Sequence, residues 1–131
     1  DGDVAGGINA ARHNARTDMC VGIGGSPEGI VTACAIKALG GHIQGRLRPQ
    51  SDDEKQRGID AGLTFDDHVY EADDLVKGKN TIFVATGVTD GQLVAGVRRD
   101  GDWVYTESVV LRSASGTLRR VTSEHLTSKW L

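Results

Sequence analysis

The sequence predicts an α/β fold, a layered sheet-and-helix domain that ends in a β-hairpin. Three observations predict it. Short apolar runs alternate with helix-length segments through the first two thirds of the chain. The stretch "TIFVATG", starting at Thr81, is an unbroken β-branched and aromatic run, the pattern of a strand buried on both faces. Finally, "WVYTESVVLR" and "TLRRVTSEH" flank a small-residue turn, Ser113 to Gly116, as paired strands would.

Each element has a local reason. Asp3 is placed to cap a helix running from Val4 to about Asn14. Gly6 and Gly7 weaken that helix, so tertiary contacts must hold it. Met19 to Ile23 reads as a short buried strand leading into glycines. Pro27 suits the first turn of a second helix, whose apolar positions include Ile30, Ala33, Cys34 and Leu39, with Gly40 as its stop. His42 to Leu47 is strand-like and is ended by Arg48-Pro49. Ser51 caps a polar surface helix that stops at Gly62, with Asp53 and Glu54 in its first turn. Phe65 to Lys79 is acidic and irregular, with a short helix expected near Asp73 to Val76. Gln92 to Val97 fits a short helix or a strand equally well. The last two strands are expected at the sheet's edge.

One domain covers all 131 residues, a length that supports a real core. The opening at Asp1, without Met or a leader, predicts a piece of a longer protein. No apolar run approaches the roughly 20 residues of a membrane span. Net charge is −3 with scattered Lys and Arg, which argues against nucleic acid or an acidic membrane as partner. Cys20 and Cys34 stand among apolar neighbours and are expected to be buried thiols in a reducing cytoplasm. The four histidines are dispersed, which argues against a zinc site. The 18 glycines are about twice the usual share of ~7%.

The chemistry concentrates in "VGIGGSPEGIV", Val21 to Val31. A dinucleotide fingerprint fails because its sixth position is Pro27, and no acid follows at the needed distance. A Walker loop lacks its Gly-Lys-Ser/Thr. A nucleophile elbow around Ser26 fails because Glu28 stands where glycine is required. What survives is a glycine turn opening a helix, with Glu28 in the first turn. Free N–H groups at such a start favour a phosphate on the Gly24-Gly25 backbone. A carboxylate beside that phosphate would repel it unless a cation lies between, and Mg²⁺ or Mn²⁺ prefers those oxygens. The plainer reading is that Glu28 only complements the helix dipole, worth ~0.3–1 kcal/mol. Asp1 and Asp3, flanking Gly2, could likewise bind sugar hydroxyls or a metal, or simply cap a helix.

Taken together and in order, "DGDVAGGI", "GIGGSPEGIVTACAIKALGG", "ATGVTDG" and "TESVVLRSASGTLR" resemble the C-terminal part of the class II fructose-1,6-bisphosphatases. These belong to the lithium-sensitive, metal-dependent phosphatase superfamily that includes inositol monophosphatase. The resemblance runs from Asp1 to about His125 and is poor from Gln50 to Tyr70. It implies the C-terminal half of the sugar-phosphatase fold. It implies that Asp1, Gly2, Asp3 and Gly25 bind a sugar bisphosphate and that Glu28 is a ligand of Mn²⁺ or Mg²⁺. It also implies that most metal ligands, a D-P-[IL]-E-G-T motif and a Lys/Arg pair for phosphate lie in an N-terminal half not in this chain. No catalytic residue is assigned here, and the isolated chain is expected to be inactive. Apolar surface that the other half would cover predicts a partner chain or a homo-oligomer. The alternatives are a non-catalytic phosphosugar-binding or assembly module, a sedoheptulose-1,7-bisphosphatase, and an inositol-phosphate phosphatase.

Overall fold

The computed structural model describes residues 2–129. Helices α1 (Asp3–Ala11) and α2 (Ser26–Leu39) come first, then a two-residue strand β1 (Gln44–Gly45) and helix α3 (Asp52–Asp60). Strand β2 (Tyr70–Glu71) and the one-turn helix α4 (Ala72–Leu75) follow. Strands β3 (Ile82–Thr86), β4 (Arg98–Asp100), β5 (Trp103–Arg112) and β6 (Thr117–Leu126) complete the chain, with 3₁₀ turns at Ser113–Ser115 and Thr127–Lys129. The arrangement is α/β and layered, with α1 and α2 packed on one face of a four-stranded sheet.

Every strand pair in that sheet is antiparallel. β5 lies at its centre, with β6 along one side and β3 and β4 sharing the other. The final hairpin is therefore not an edge feature as a whole: β5 is the sheet's spine, and only β6 lies outside. Ten residues let β5 pair with two short strands end to end. The hairpin turns through Gly116, whose φ of 56° suits glycine.

Period-two alternation places the core. Phe83 faces Leu111 and Ala85 faces Val109, and these side chains meet Ile8 of α1 and Ala35 and Ala38 of α2. Ile8, Val109 and Leu111 have no exposed surface, and burial of such a side chain contributes ~1.5–3 kcal/mol. The other face of β3 is open, with Ile82 62% and Val84 59% exposed. "TIFVATG" is thus a strand buried on one face only, because helices cover just one side of this sheet.

α2 begins and ends as its sequence requires. Pro27 occupies its first turn, where a missing N–H costs nothing, and Gly40 closes it in the left-handed region at φ 71°. Its small residues Ala33, Ala35 and Ala38 let it sit close to its neighbours. Lys37 ties its end to α4, with Nζ 2.6 Å from Asp73 Oδ1 and donating at 2.6 Å to the Val76 carbonyl. α3 is capped by Ser51, whose Oγ accepts from the Glu54 N–H at 3.1 Å, while the Glu54 carboxylate accepts from the Gln50 N–H at 2.8 Å. That helix buries no residue, and Gly62 follows it at φ 84°.

Several expectations are corrected. Asp3 is not the cap of α1: Gly2 is, with no side-chain cap bond, and Asp3 lies inside the first turn. α1 also stops at Ala11 rather than near Asn14. Met19 to Ile23 forms no strand, and Met19, Val21 and Ile23 are 74%, 82% and 91% exposed. No described strand lies beside this run, so its apolar side chains have nothing to bury against. Cys20 is exposed and Cys34 only partly buried, both as free thiols. The strand expected over His42 to Leu47 shrinks to the two residues that find a partner in β2. Gln92 to Val97 is neither helix nor strand.

Candidate substrate and metal site

α1 and α2 cross at glycine. A β-carbon on Gly7 would stand 2.7 Å from Thr32 Cγ2, so the absence of a side chain there sets how closely the helices approach. This contact, deep in the pair, brings the first turn of α1 beside the loop that opens α2. A β-carbon on Gly24 would lie 3.1 Å from Asp3 Oδ2, which puts the Asp3 carboxylate directly against the glycine turn.

Glu28 closes the other side of that turn. Its carboxylate folds back over Gly25, where an added β-carbon would collide with Oε2. Gly25 is the N-cap of α2, with an extended backbone at φ −67° and ψ 152°. The site therefore combines free N–H groups of a helix start with two carboxylates that approach the turn from α1 and α2. Both Asp3 and Glu28 are exposed. Among the described residues, the Glu28 side chain takes part in no ion pair or hydrogen bond.

Of the five residues predicted from the sequence, Asp3, Gly25 and Glu28 lie at this turn, while Gly2 is the N-cap of α1, just before Asp3. Asp1 lies outside the described residues. Among the described residues, no group of three or more His, Cys, Asp or Glu side chains could hold a metal ion. This chain's described residues thus do not build a divalent site unaided; Glu28 can offer one carboxylate to a site completed by other donors.

An open groove of about 250 Å³ runs beside Ser26, walled by Leu47, Pro49, Leu63 and Phe65. Its cations are Arg48, which Asp67 engages at 3.1 Å, and Arg57. Phe65 reaches this wall by packing its ring on Gly58, where a side chain on α3 would collide with it.

Sequence reasoning missed the polar network around Glu107. Its Oε2 accepts from the Ala95 N–H at 2.7 Å, and its Oε1 lies 2.7 Å from Arg120 Nη1. The backbone N–H of Ala95, then the Arg120 hydrogen bond and charge, hold the Glu107 carboxyl below the ordinary glutamate range, against an opposing effect of burial. The available signal was a carboxylate at position i relative to Val109 and Leu111 at i+2 and i+4, on the helix-facing side of a strand.

No helix among the described residues is long and apolar enough to cross a membrane. Residues 1–125 match the family described as "Bacterial fructose-1,6-bisphosphatase, glpX-encoded". The chain is 40% identical, over 95% of its length, to "Fructose-1,6-bisphosphatase class 2" of Haemophilus influenzae. It is 35% identical, over 96% of its length, to each of two Synechococcus proteins named "D-fructose 1,6-bisphosphatase class 2/sedoheptulose 1,7-bisphosphatase". It spans 41% of the length of the first relative and 40% of each of the others. A match running almost end to end, over the same turn that gathers Asp3, Gly25 and Glu28, establishes that the chain belongs to the glpX-encoded bacterial fructose-1,6-bisphosphatase family.

Proposed function

We propose that this chain is the C-terminal part of a class II fructose-1,6-bisphosphatase, which hydrolyses the 1-phosphate of fructose 1,6-bisphosphate to give fructose 6-phosphate. One observation carries the reading: Asp3 and Glu28 converge on the Gly24-Gly25 turn at the start of α2. Asp1, Gly2 and Asp3 bind the sugar, chiefly its hydroxyls, and the Gly25 backbone touches substrate. Glu28 contributes one carboxylate to a divalent ion, Mn²⁺ or Mg²⁺. When bound with its remaining ligands, such an ion supplies charge compensation between carboxylate and phosphate and lowers the pKa of water.

The roles of this chain's own groups follow from elementary electrostatics. N–H groups at the start of α2 attract an anionic ester. Asp3, an acceptor only when ionised, suits sugar hydroxyls, which donate. Glu28 is one carboxylate where a divalent ion needs several oxygen donors, so this chain cannot hold the metal by itself and the isolated chain is catalytically silent. The N-terminal part of the relatives' length is its partner, the whole enzyme is a homo-oligomer, and it works in a reducing cytoplasm in gluconeogenesis. The printed names of the Synechococcus relatives favour a second substrate, sedoheptulose 1,7-bisphosphate.

The test is release of inorganic phosphate from fructose 1,6-bisphosphate by the full-length protein as Mn²⁺ is titrated. Turnover should require the metal and fall at least about a hundredfold in Glu28→Gln with the fold intact. Phosphosugar binding without metal-dependent turnover would instead establish a non-catalytic binding module. Turnover by the isolated 131 residues that survives Glu28→Gln would overturn the assignment.

A further inference from the structure

Two segments, "ATGVTDG" and "TESVVLR", have no role in the reading above, yet the structure locks them together. The turn between β3 and β4 closes on Glu107. The Gly87 N–H donates to the Glu107 carbonyl at 3.0 Å, and the Ala95 N–H donates to its carboxylate at 2.7 Å. Arg120 Nη1 bridges the same carboxylate at 2.7 Å and the Leu93 carbonyl at 2.8 Å. Within the turn, the Gly96 N–H donates to Asp90 Oδ1 at 2.8 Å. Gly87 sits so close to the Ala95 carbonyl oxygen that no side chain fits there.

What this turn presents is a seat for α1. Leu93 is buried in the same cluster as Ile8, and Asn9 Nδ2 donates to Gln92 Oε1 at 3.0 Å. α1 has nine residues including Gly6 and Gly7, each costing ~1 kcal/mol against alanine in a helix. A helix so short and so weak does not persist unaided, so its direction is set by what it packs on. Asp3 stands six residues before Asn9, about 9 Å along the axis. A tilt at the seat therefore moves the carboxylate that lies against Gly24.

We infer that Glu107 and Arg120 are positioning residues for the sugar-binding end of α1, acting through the Gln92-Leu93 turn on Asp3. This rests on the assignment of Asp3 to the sugar bisphosphate made above. Neither residue touches substrate. Their effect is on how well Asp3 is aimed, which concerns binding and leaves the metal-dependent step alone.

Steady-state kinetics of the full-length protein with Mn²⁺ and fructose 1,6-bisphosphate test this. Glu107→Gln keeps an acceptor for the Ala95 N–H and loses the charge that faces Arg120. KM for the sugar bisphosphate should rise about fivefold, while kcat and the half-saturating Mn²⁺ concentration change by less than about twofold. Gln92→Ala, an exposed side chain, should raise KM by about twofold to threefold and serves if Glu107→Gln fails to fold. A merely structural pair would lower Tm with KM unmoved, and that result in the folded variants overturns the inference. If the unaltered protein shows no turnover, the functional reading has failed and hydrogen exchange decides the positioning link by itself. Faster exchange of the α1 amides in either variant then supports it, and unchanged exchange removes it.

Discussion

The Glu28 carboxylate lies over the α-carbon of Gly25, and the two residues exclude any β-carbon between them. The backbone of Gly25, at φ −67° and ψ 152°, is open to every residue type. Glycine is therefore needed here for space and not for conformation. Gly25→Ala should leave stability within about 1 kcal/mol, because Oε2 is the end of a flexible side chain and can swing away. Turnover in the full-length protein should fall at least about tenfold, since the displaced carboxylate no longer meets the turn. Denaturant unfolding and phosphate release measure the two effects separately. Wild-type turnover in the folded variant would show that the position of Glu28 over Gly25 is not used.

Gly6 and Gly7 are adjacent in α1 and should respond with opposite sign. A β-carbon on Gly6 meets only Cys20 Sγ at 3.4 Å, ordinary van der Waals contact. Gly6→Ala should therefore stabilise the protein by about 0.5–1 kcal/mol through helix propensity. A β-carbon on Gly7 would stand 2.7 Å from Thr32 Cγ2 inside the α1–α2 contact. Overpacking of that kind costs ~1–3 kcal/mol and exceeds the same propensity gain. Thermal unfolding of the pair should show Tm raised by the first change and lowered by the second. Equal shifts would mean that the helices do not meet at Gly7.

Glu107 should make stability depend on pH in one direction. Its carboxyl is held below the ordinary glutamate range in the folded protein, by the Ala95 N–H first and Arg120 second. The stabilisation is present above the unfolded value of about 4.3 and is lost as pH falls through the lower folded value. Unfolding of the wild type and Glu107→Gln should differ most near neutral pH and converge as pH drops below about 4. With Glu107 21% and Arg120 39% exposed, added salt should shrink the difference at neutral pH. A gap that persists at low pH would assign the effect to packing and not to charge.

Much of this molecule is legible without coordinates because its signals are local. Pro27 and Gly40 mark α2 through restrictions on their own backbone, and Ser51 marks α3 by accepting from the Glu54 N–H three residues on, while the Glu54 carboxylate accepts from the Gln50 N–H. The hairpin of β5 and β6 turns where Ser113 to Gly116 places small residues and a left-handed glycine. The place of Glu28 in the first turn of α2 is legible as well, since Pro27 beside it marks the helix start.

Other readings failed where the outcome depended on a neighbour. Met19 to Ile23 is a short apolar run that suits a buried strand, but pairing and burial need another strand beside it, and none lies there among the described residues. The unbroken apolar run of β3 suggested burial on both faces, yet Ile82 and Val84 are open because the helices lie on one side only. Asp3 is an acceptable cap residue by type, but Gly2 took that place and left the carboxylate free to meet Gly24.

The sequence by itself determined where helices start and stop, which strands form a hairpin, and which carboxylate stands at a helix entrance. Those are outcomes of backbone restriction and hydrogen bonds between residues a few positions apart. Only the tertiary structure decided that β5 is the spine of the sheet, that Glu107 and Arg120 brace the turn under α1, and that Asp3 and Glu28 meet the same glycine pair. These join residues far apart in the chain, and their geometry comes from close packing at glycines such as Gly7, where approach distance is set by what both partners lack.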